Sequence, residues 1–247
     1  MPPTTSPTTP RPRRSRPGPV RLLALVVTVL ALALAPSAAS AKKVTGTNKA
    51  DRIKTGAGND KIRAKGGSDK VESGGGRDTV WAGGGHDKVG LGGGNDTAFG
   101  DAGNDNIQGI GGNDRIYGGT GNDVTWRAGT GPRRYSLGLQ GGQGNDLIDG
   151  GDGHDNLDGG DGNDTLRDGP GDDVVSADAG DDTVQVGPGR DIVFGEEGFD
   201  RIYLTNDGVA DEIYCGNASQ TRTGVVYYVG GRDPLDKIGY CDDIIVR

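Results

Sequence analysis

Residues 159–166 read Gly-Gly-Asp-Gly-Asn-Asp-Thr-Leu, and a closely similar stretch, Gly-Gly-Gly-Asn-Asp, occupies residues 92–96. Both belong to one nine-residue frame, Gly-Gly-x-Gly-x-Asp-x-apolar-x, whose positions are numbered 1 to 9 below. The aspartate at position 6 recurs in sixteen copies, at Asp51, Asp60, Asp69, Asp78, Asp87, Asp96, Asp105, Asp114, Asp123, Asp146, Asp155, Asp164, Asp173, Asp182, Asp191 and Asp200. A period this strict predicts a repeat architecture in which each copy forms one structural unit.

The first 41 residues differ in kind from the repeats. Five arginines in a proline-rich lead precede an apolar run over 22–35, and Ala39-Ser40-Ala41 fits a small-x-small cleavage site. This order is typical of a secretory signal peptide, predicted to span 1–41. A membrane anchor is the weaker interpretation, because a spanning helix needs about 20 apolar residues.

The charge of the chain points to cations as partners. Removing the leader takes away five arginines and no acids, which moves the formal net charge from −8 to −13. An acidic chain disfavours nucleic acid and anionic membrane surfaces. The sequence therefore predicts no nucleic-acid partner and no membrane insertion.

The remainder is predicted to contain two repeat blocks and a cap. The first block spans 44–126, an inserted loop 127–140, the second block 141–203 and the cap 204–247. The loop either bulges from one continuous stack or joins two stacks, and the sequence leaves both open. Residues 225–229 are β-branched and aromatic, which indicates a strand. The cap is expected to close the end of the stack.

The nine-residue unit is predicted to form a six-residue turn and a three-residue strand. Glycine supplies the positive φ angles of the turn, and the asparagine common at position 5 tolerates left-handed geometry. Position 8 is predicted to point inward, because neighbouring residues of a strand face opposite sides. Its occupants are Ile53, Ile62, Val71, Val80, Val89, Ala98, Ile107, Ile116, Ile148, Leu157, Leu166, Val175, Val184, Val193 and Ile202, with Thr125 marking a break.

Two units make one coil of eighteen residues, so the fold class is predicted to be all-β, a parallel β-roll. Aspartates eighteen apart then share an edge: Asp69, Asp87, Asp105 and Asp123 on one, Asp60, Asp78, Asp96 and Asp114 on the other. Rows of carboxylates about 4.8 Å apart repel unless cations lie between them. Hard oxygen ligands in that number favour calcium over zinc or magnesium.

The ions are predicted to contribute to folding. Burying one Val or Ile contributes about 1.5–3 kcal/mol, whereas ordering nine residues costs on the order of 13 kcal/mol. The apolar core and the backbone ladder alone fall short of that cost. We therefore expect a largely unfolded calcium-free protein.

These repeats resemble those of the repeats-in-toxin, or hemolysin-type, calcium-binding family, over roughly residues 46–203. The resemblance implies a parallel β-roll with calcium held between coils by repeat aspartates and carbonyl oxygens. It assigns a ligand role to Asp60 through Asp123 and Asp146 through Asp191, and a weaker one to Asp51 and Asp200. Ala64-Lys65 and Asp168-Gly169-Pro170 depart from the motif and put single sites in doubt.

The tail resembles the ending of secreted actinobacterial members of the group. Its Cys215 and Cys241 form an even pair in a chain predicted to be exported, which favours a disulfide, with two reduced buried thiols as the alternative. If every same-edge pair of aspartates held an ion, at most about twelve calcium ions would bind.

No residue pattern indicates catalysis. His86 and His154 stand at position 5 and are interpreted as turn residues. Trp81, Phe99, Tyr117, Trp126 and Phe194 stand at position 9, where an outward strip could bind a glycan or protein, or simply cover neighbouring strands.

The sequence thus predicts a secreted, calcium-binding β-roll that acts by binding. One alternative is a cell-surface adhesion module that contacts its partner through the aromatic strip or the basic Arg133-Arg134. The other is a small extracellular hydrolase with its site in the insert or cap.

Overall fold

The computed structural model describes residues 40–123, 138–216 and 223–247. Nearly all of the predicted signal peptide lies outside these ranges, as do Thr125, Trp126 and Arg133-Arg134. Within them the chain forms only strands, turns and bends. No helix that could cross a membrane is found among these residues.

The strands form two parallel sheets. Sheet A contains eleven strands: β1 Lys43–Thr45, β3 Lys61–Gly66, β5 Thr79–Gly84, β7 Thr97–Ala102, β9 Arg115–Thr120, β11 Leu147–Asp152, β13 Thr165–Arg167, β15 Thr183–Gln185, β17 Asp200–Thr205, β19 Gly224–Val229 and β21 Asp243–Val246. Sheet B contains ten: β2 Arg52–Ala57, β4 Lys70–Gly75, β6 Lys88–Gly93, β8 Asn106–Gly111, β10 Leu139–Gln143, β12 Asn156–Asp161, β14 Val174–Ala179, β16 Ile192–Phe194, β18 Glu212–Tyr214 and β20 Lys237–Gly239.

Consecutive strands alternate between the sheets, so each coil contributes one strand to each. Within a sheet, residues eighteen apart are in register, as Ile53 with Val71 and Ile62 with Val80. The predicted position-8 residues are buried in one continuous core between the two sheets. The predicted all-β parallel solenoid is confirmed.

The division of the repeat into turn and strand differs from the prediction. Most strands run for six residues, from position 7 through position 3, and the turn covers only positions 4 to 6, as in β4 followed by Gly76-Arg77-Asp78. Position 1 therefore points inward as well as position 8, since only position 9 lies between them and alternate residues of a strand share a face. Its side chains, such as Leu91 and Val186, join the core.

The stack is continuous across the predicted insert. In sheet B, β10 pairs with β8 on one side and with β12 on the other, and Leu139 lies opposite Ile107. In sheet A, β11 pairs with β9. The stack resumes at Leu139, two residues before the predicted start of the second block, and the buried Leu139 supplies the position-8 side chain.

The C-terminal residues extend both sheets rather than forming a separate lid. Strands β18 and β20 continue sheet B, and β19 and β21 continue sheet A, all in parallel register. The strand predicted over 225–229 is confirmed as β19. Cys215 and Cys241 form the expected disulfide, which joins the last two coils on the sheet B side.

Candidate metal sites

The three-residue turn requires glycine at position 4, where successive coils are in close contact. Gly76 has a φ of +122°, and a Cβ there would lie 2.5 Å from the carbonyl oxygen of Gly58 in the preceding coil. A side chain would therefore clash with main chain that cannot move aside. The close stacking brings successive position-6 aspartates into contact.

From Asp60 to Asp200, each row aspartate side chain is fixed by the main chain of the preceding coil. Its Oδ1 accepts a hydrogen bond of 2.6–3.1 Å from a main-chain N–H, and from Asp69 onward the donor is the preceding aspartate of the same row. This arrangement makes two parallel ladders, one along each edge of the solenoid. Residues predicted to share an edge share a ladder.

The second oxygen of these carboxylates, Oδ2, is buried and has no hydrogen-bond partner. This holds for fifteen of the sixteen predicted residues, from Asp60 through Asp200. The exception is Asp51, which is half-buried and whose Oδ2 accepts bonds from the N–H and hydroxyl of Thr47. Asp200, predicted to be weaker, has the full arrangement.

A main-chain carbonyl oxygen of the next coil faces the unpartnered Oδ2. A Cβ added at Gly159, in position 1, would lie 2.6 Å from Oδ2 of Asp164 and 2.7 Å from the carbonyl oxygen of Ala177. The same two oxygen types converge at Gly100, Gly109, Gly118, Gly141, Gly150 and Gly195. Two acceptors that face each other without a donor suit a cation, and both are the hard oxygen ligands of calcium.

Position 1 divides the sites into two kinds. Glycine leaves the approach to Oδ2 open, whereas in other repeats a buried side chain takes the same place: Thr55, Ala64, Ser73, Ala82, Leu91, Asp168, Ala177 or Val186. The nine-residue period gave no reason to distinguish these two kinds of site, because position 1 was predicted to lie in a turn.

Burial makes the aspartates resist ionisation. It raises the pKa of Asp105 to about 8, aided by the charges of Asp123 and Asp87 and opposed by the Asp87 N–H. The pKa of Asp182 is raised to about 8 in the same way, with desolvation as the main cause. Either a proton or a bound cation is needed to offset the desolvation cost of burying each carboxylate.

The ladder that contains Asp191 continues beyond the residues that the period identified. The N–H of Asp191 donates to Asp211, and that of Asp211 donates to Asp236. These aspartates follow at spacings of 20 and 25 residues, so the eighteen-residue spacing of the sequence repeat does not identify them. At Asp236 the second oxygen accepts from the hydroxyl of Tyr228, so the ladder ends on a fully paired carboxylate.

The histidines behave as turn residues. Nδ1 of His86 accepts from the N–H of Asn104, and Nδ1 of His154 accepts from that of Asp172. Asn59 uses its Oδ1 in the same way toward Arg77. Both histidines lie in turns, as predicted, and the structure shows that histidine replaces asparagine there as an acceptor between coils.

Several position-9 aromatic rings stack on the outer face of sheet A. Trp81 and Phe99 have centroids 5.9 Å apart, and Phe99 and Tyr117 are 5.0 Å apart. The guanidinium of Arg63 lies over Trp81 at 4.7 Å. Phe194 stacks on Tyr214 in sheet B. Trp126 lies outside the described residues.

Fold and site together define a parallel β-solenoid with two edge rows of buried carboxylates that suit hard cations. The family model of the RTX calcium-binding nonapeptide repeat matches residues 45–80, 55–89, 64–98, 90–125, 139–166 and 167–202. The chain belongs to this family. Among curated proteins, none is similar enough to count as a match.

Proposed function

We propose that the chain is an exported calcium-binding solenoid whose two rows of aspartates hold ions between successive coils. The observation that carries the proposal is the unpartnered, buried Oδ2 that faces a carbonyl oxygen of the next coil. The proposed ligands are the aspartates from Asp60 to Asp200 and the position-1 carbonyl oxygens. Asp51 is a weaker candidate because Thr47 occupies its second oxygen.

The ions complete the fold in this proposal. A bound calcium ion supplies positive charge that offsets both the desolvation of the carboxylates and their mutual repulsion. The chain holds each carboxylate by one N–H and keeps the other oxygen turned toward the neighbouring coil. Because each site joins two coils, loss of ions is expected to separate them.

Among the sites formed only by row aspartates and carbonyl oxygens, those with glycine at position 1 are proposed to fill at lower calcium concentration. Asp105, Asp114, Asp123, Asp146, Asp155 and Asp164 form a consecutive series of this kind, with glycines from Gly100 to Gly159. Repeats with Leu91 or Val186 at position 1 place an apolar side chain beside the carboxylate.

The protein is proposed to act by binding, outside the cell, and not by catalysis. A calcium-dependent interaction module is the second candidate, favoured by the ring ladder of Trp81, Phe99 and Tyr117 on an outer face. Stacked rings offer apolar area to a glycan or protein. Phe99→Ala would then weaken partner binding while leaving calcium binding unchanged.

The calcium proposal is tested by titrating the chelator-treated full-length chain, with circular dichroism to follow β-structure. We expect β-structure to increase with calcium and not with magnesium at equal ionic strength. Asp164→Asn should weaken the response, whereas Asp161→Asn, the same change at an exposed position 3 of the same repeat, should not. A β-rich spectrum that excess chelator leaves unchanged would contradict the proposal.

A further inference from the structure

Asp168 is an acidic residue outside the position-6 rows that lies inside the solenoid. It stands at position 1 of the repeat that contains Asp173, and its exposed fraction is 0%. Most other repeats place glycine or an uncharged side chain in that inward slot. A buried carboxylate there is costly unless something compensates its charge.

The Asp168 side chain is held by two main-chain donors. Its Oδ1 accepts from the N–H of Gly169 at 2.8 Å and from that of Gly187 at 2.7 Å. Its Oδ2 is buried and has no hydrogen-bond partner. The carboxylate is therefore fixed in direction, with one oxygen left over.

The local strands are shorter than elsewhere and make room for this contact. β13 ends at Arg167 and β15 ends at Gln185, immediately before position 1, where most strands continue to position 3. Pro170 and Pro188 occupy position 3 in these two coils and have no N–H for a ladder. Oδ1 of Asp168 therefore accepts hydrogen bonds from the main-chain N–H groups of Gly169 and Gly187, which lie just beyond the ends of these strands.

Two row aspartates converge on the same point. Oδ1 of Asp173 accepts from the N–H of Asp155, and Oδ1 of Asp191 accepts from that of Asp173. The Oδ2 atoms of both are unpartnered and buried. One carboxylate oxygen from each of Asp168, Asp173 and Asp191 lies within 4.8 Å of the others, the one such three-acid group among the described residues.

We propose that Asp168, Asp173 and Asp191 form a three-carboxylate calcium site that binds more tightly than the other sites of the rows. This inference rests on the proposed calcium function and adds a ligand that the repeat motif lacks. The affinity of calcium sites rises with the charge of the ligands and the rigidity of the site. Here a third carboxylate is present and main-chain donors hold all three.

The test is calorimetric titration of the chelator-treated full-length chain with calcium. The wild type should show an initial step of about one ion, at least about tenfold tighter than the rest. Asp168→Asn keeps an oxygen that can accept from Gly169 and Gly187 and removes the charge, so this step should disappear. Asp161→Asn, which removes an exposed charge at position 3 of the preceding repeat, should retain it.

The outcomes separate this site from the general function. A wild-type titration without a tighter first step, or a first step that Asp168→Asn retains, would overturn the three-carboxylate site and leave calcium binding intact. If Asp168→Asn does not fold in saturating calcium, the wild-type titration alone decides. No calcium binding by the wild type would overturn the proposed function itself.

Discussion

The main-chain N–H of Asp114 donates a 2.6 Å hydrogen bond to Oδ1 of Asp146, which follows it by 32 residues. Within the row the other such bonds from Asp60 to Asp200 join aspartates eighteen residues apart. The second row makes the same longer step from Asp123 to Asp155, at 2.7 Å. Both ladders therefore cross the insert without interruption.

Deleting residues 124–137 should leave the calcium-dependent fold intact. The deletion removes fourteen residues and restores the spacing of eighteen between Asp114 and Asp146. Gly138 would follow Asp123 directly, and it already lies beside the Asp123 carbonyl group in the structure. Leu139 keeps its place in the core. Circular dichroism during calcium titration should give a midpoint close to that of the wild type.

A deletion of nine residues from the same segment serves as the control for length. If the deletion of 124–137 abolished calcium-induced folding while the shorter deletion did not, the segment would have a role in the stack that the flanking geometry does not indicate.

Much of the architecture could be predicted from the period. In every described repeat from Ile53 to Ile202 the position-8 residue lies in the core, because a fixed spacing and the alternation of strand residues determine which side chain points inward. The inward role of position 1 was missed, because glycine there gives no hydrophobic signal and its neighbour Gly at position 2 suggested a turn. The continuity of the stack also depends on contacts across the insert, such as Leu139 with Ile107, which no local pattern encodes.

Gly109→Ala should reduce calcium binding at one site with little loss of the fold. The added Cβ would lie too close to both Oδ2 of Asp114 and the carbonyl oxygen of Gly141, so these two oxygens must move apart to admit it. Ala82 at the same position shows that the solenoid accommodates alanine there. Calorimetry should show one site of lower calcium affinity.

The matched control is Gly90→Ala, where nothing lies within 4 Å of the added Cβ. Its calcium affinities should equal those of the wild type. Equal calcium binding by Gly109→Ala and the wild type would show that the cradle at position 1 is not part of the site.

Acid should substitute for calcium in stabilising the solenoid. Burial raises the pKa of Asp96 to about 6, of Asp173 to about 8 and of Asp191 to about 9, from an ordinary value of 3.8. A group whose pKa is raised by folding favours the fold when protonated. That stability is fully present below about pH 4 and is lost as the pH rises through about 6 to 9.

In chelator, lowering the pH from about 9 to about 5 should therefore increase β-structure, measured by circular dichroism at low protein concentration. In calcium, binding should release protons, and the apparent affinity should increase with pH. β-Structure in chelator that was independent of pH would show that these carboxylates do not limit the calcium-free fold.

Reduction of the Cys215–Cys241 disulfide should destabilise the last coils of the calcium-loaded protein. The bridge spans 26 residues, and closing such a loop contributes about 3–4 kcal/mol in the chain-entropy model. Cys215 is buried, and its carbonyl oxygen faces Oδ2 of Asp200 at the last glycine-lined site. We therefore expect reductant to lower the urea midpoint and the calcium affinity of that site together. A variant with serine at both cysteines should be insensitive to reductant, which separates the effect of the bridge from that of the reagent. If reductant left the wild-type midpoint unchanged in calcium, the ions and the strand ladders β18 to β21 would suffice to hold this end of the solenoid.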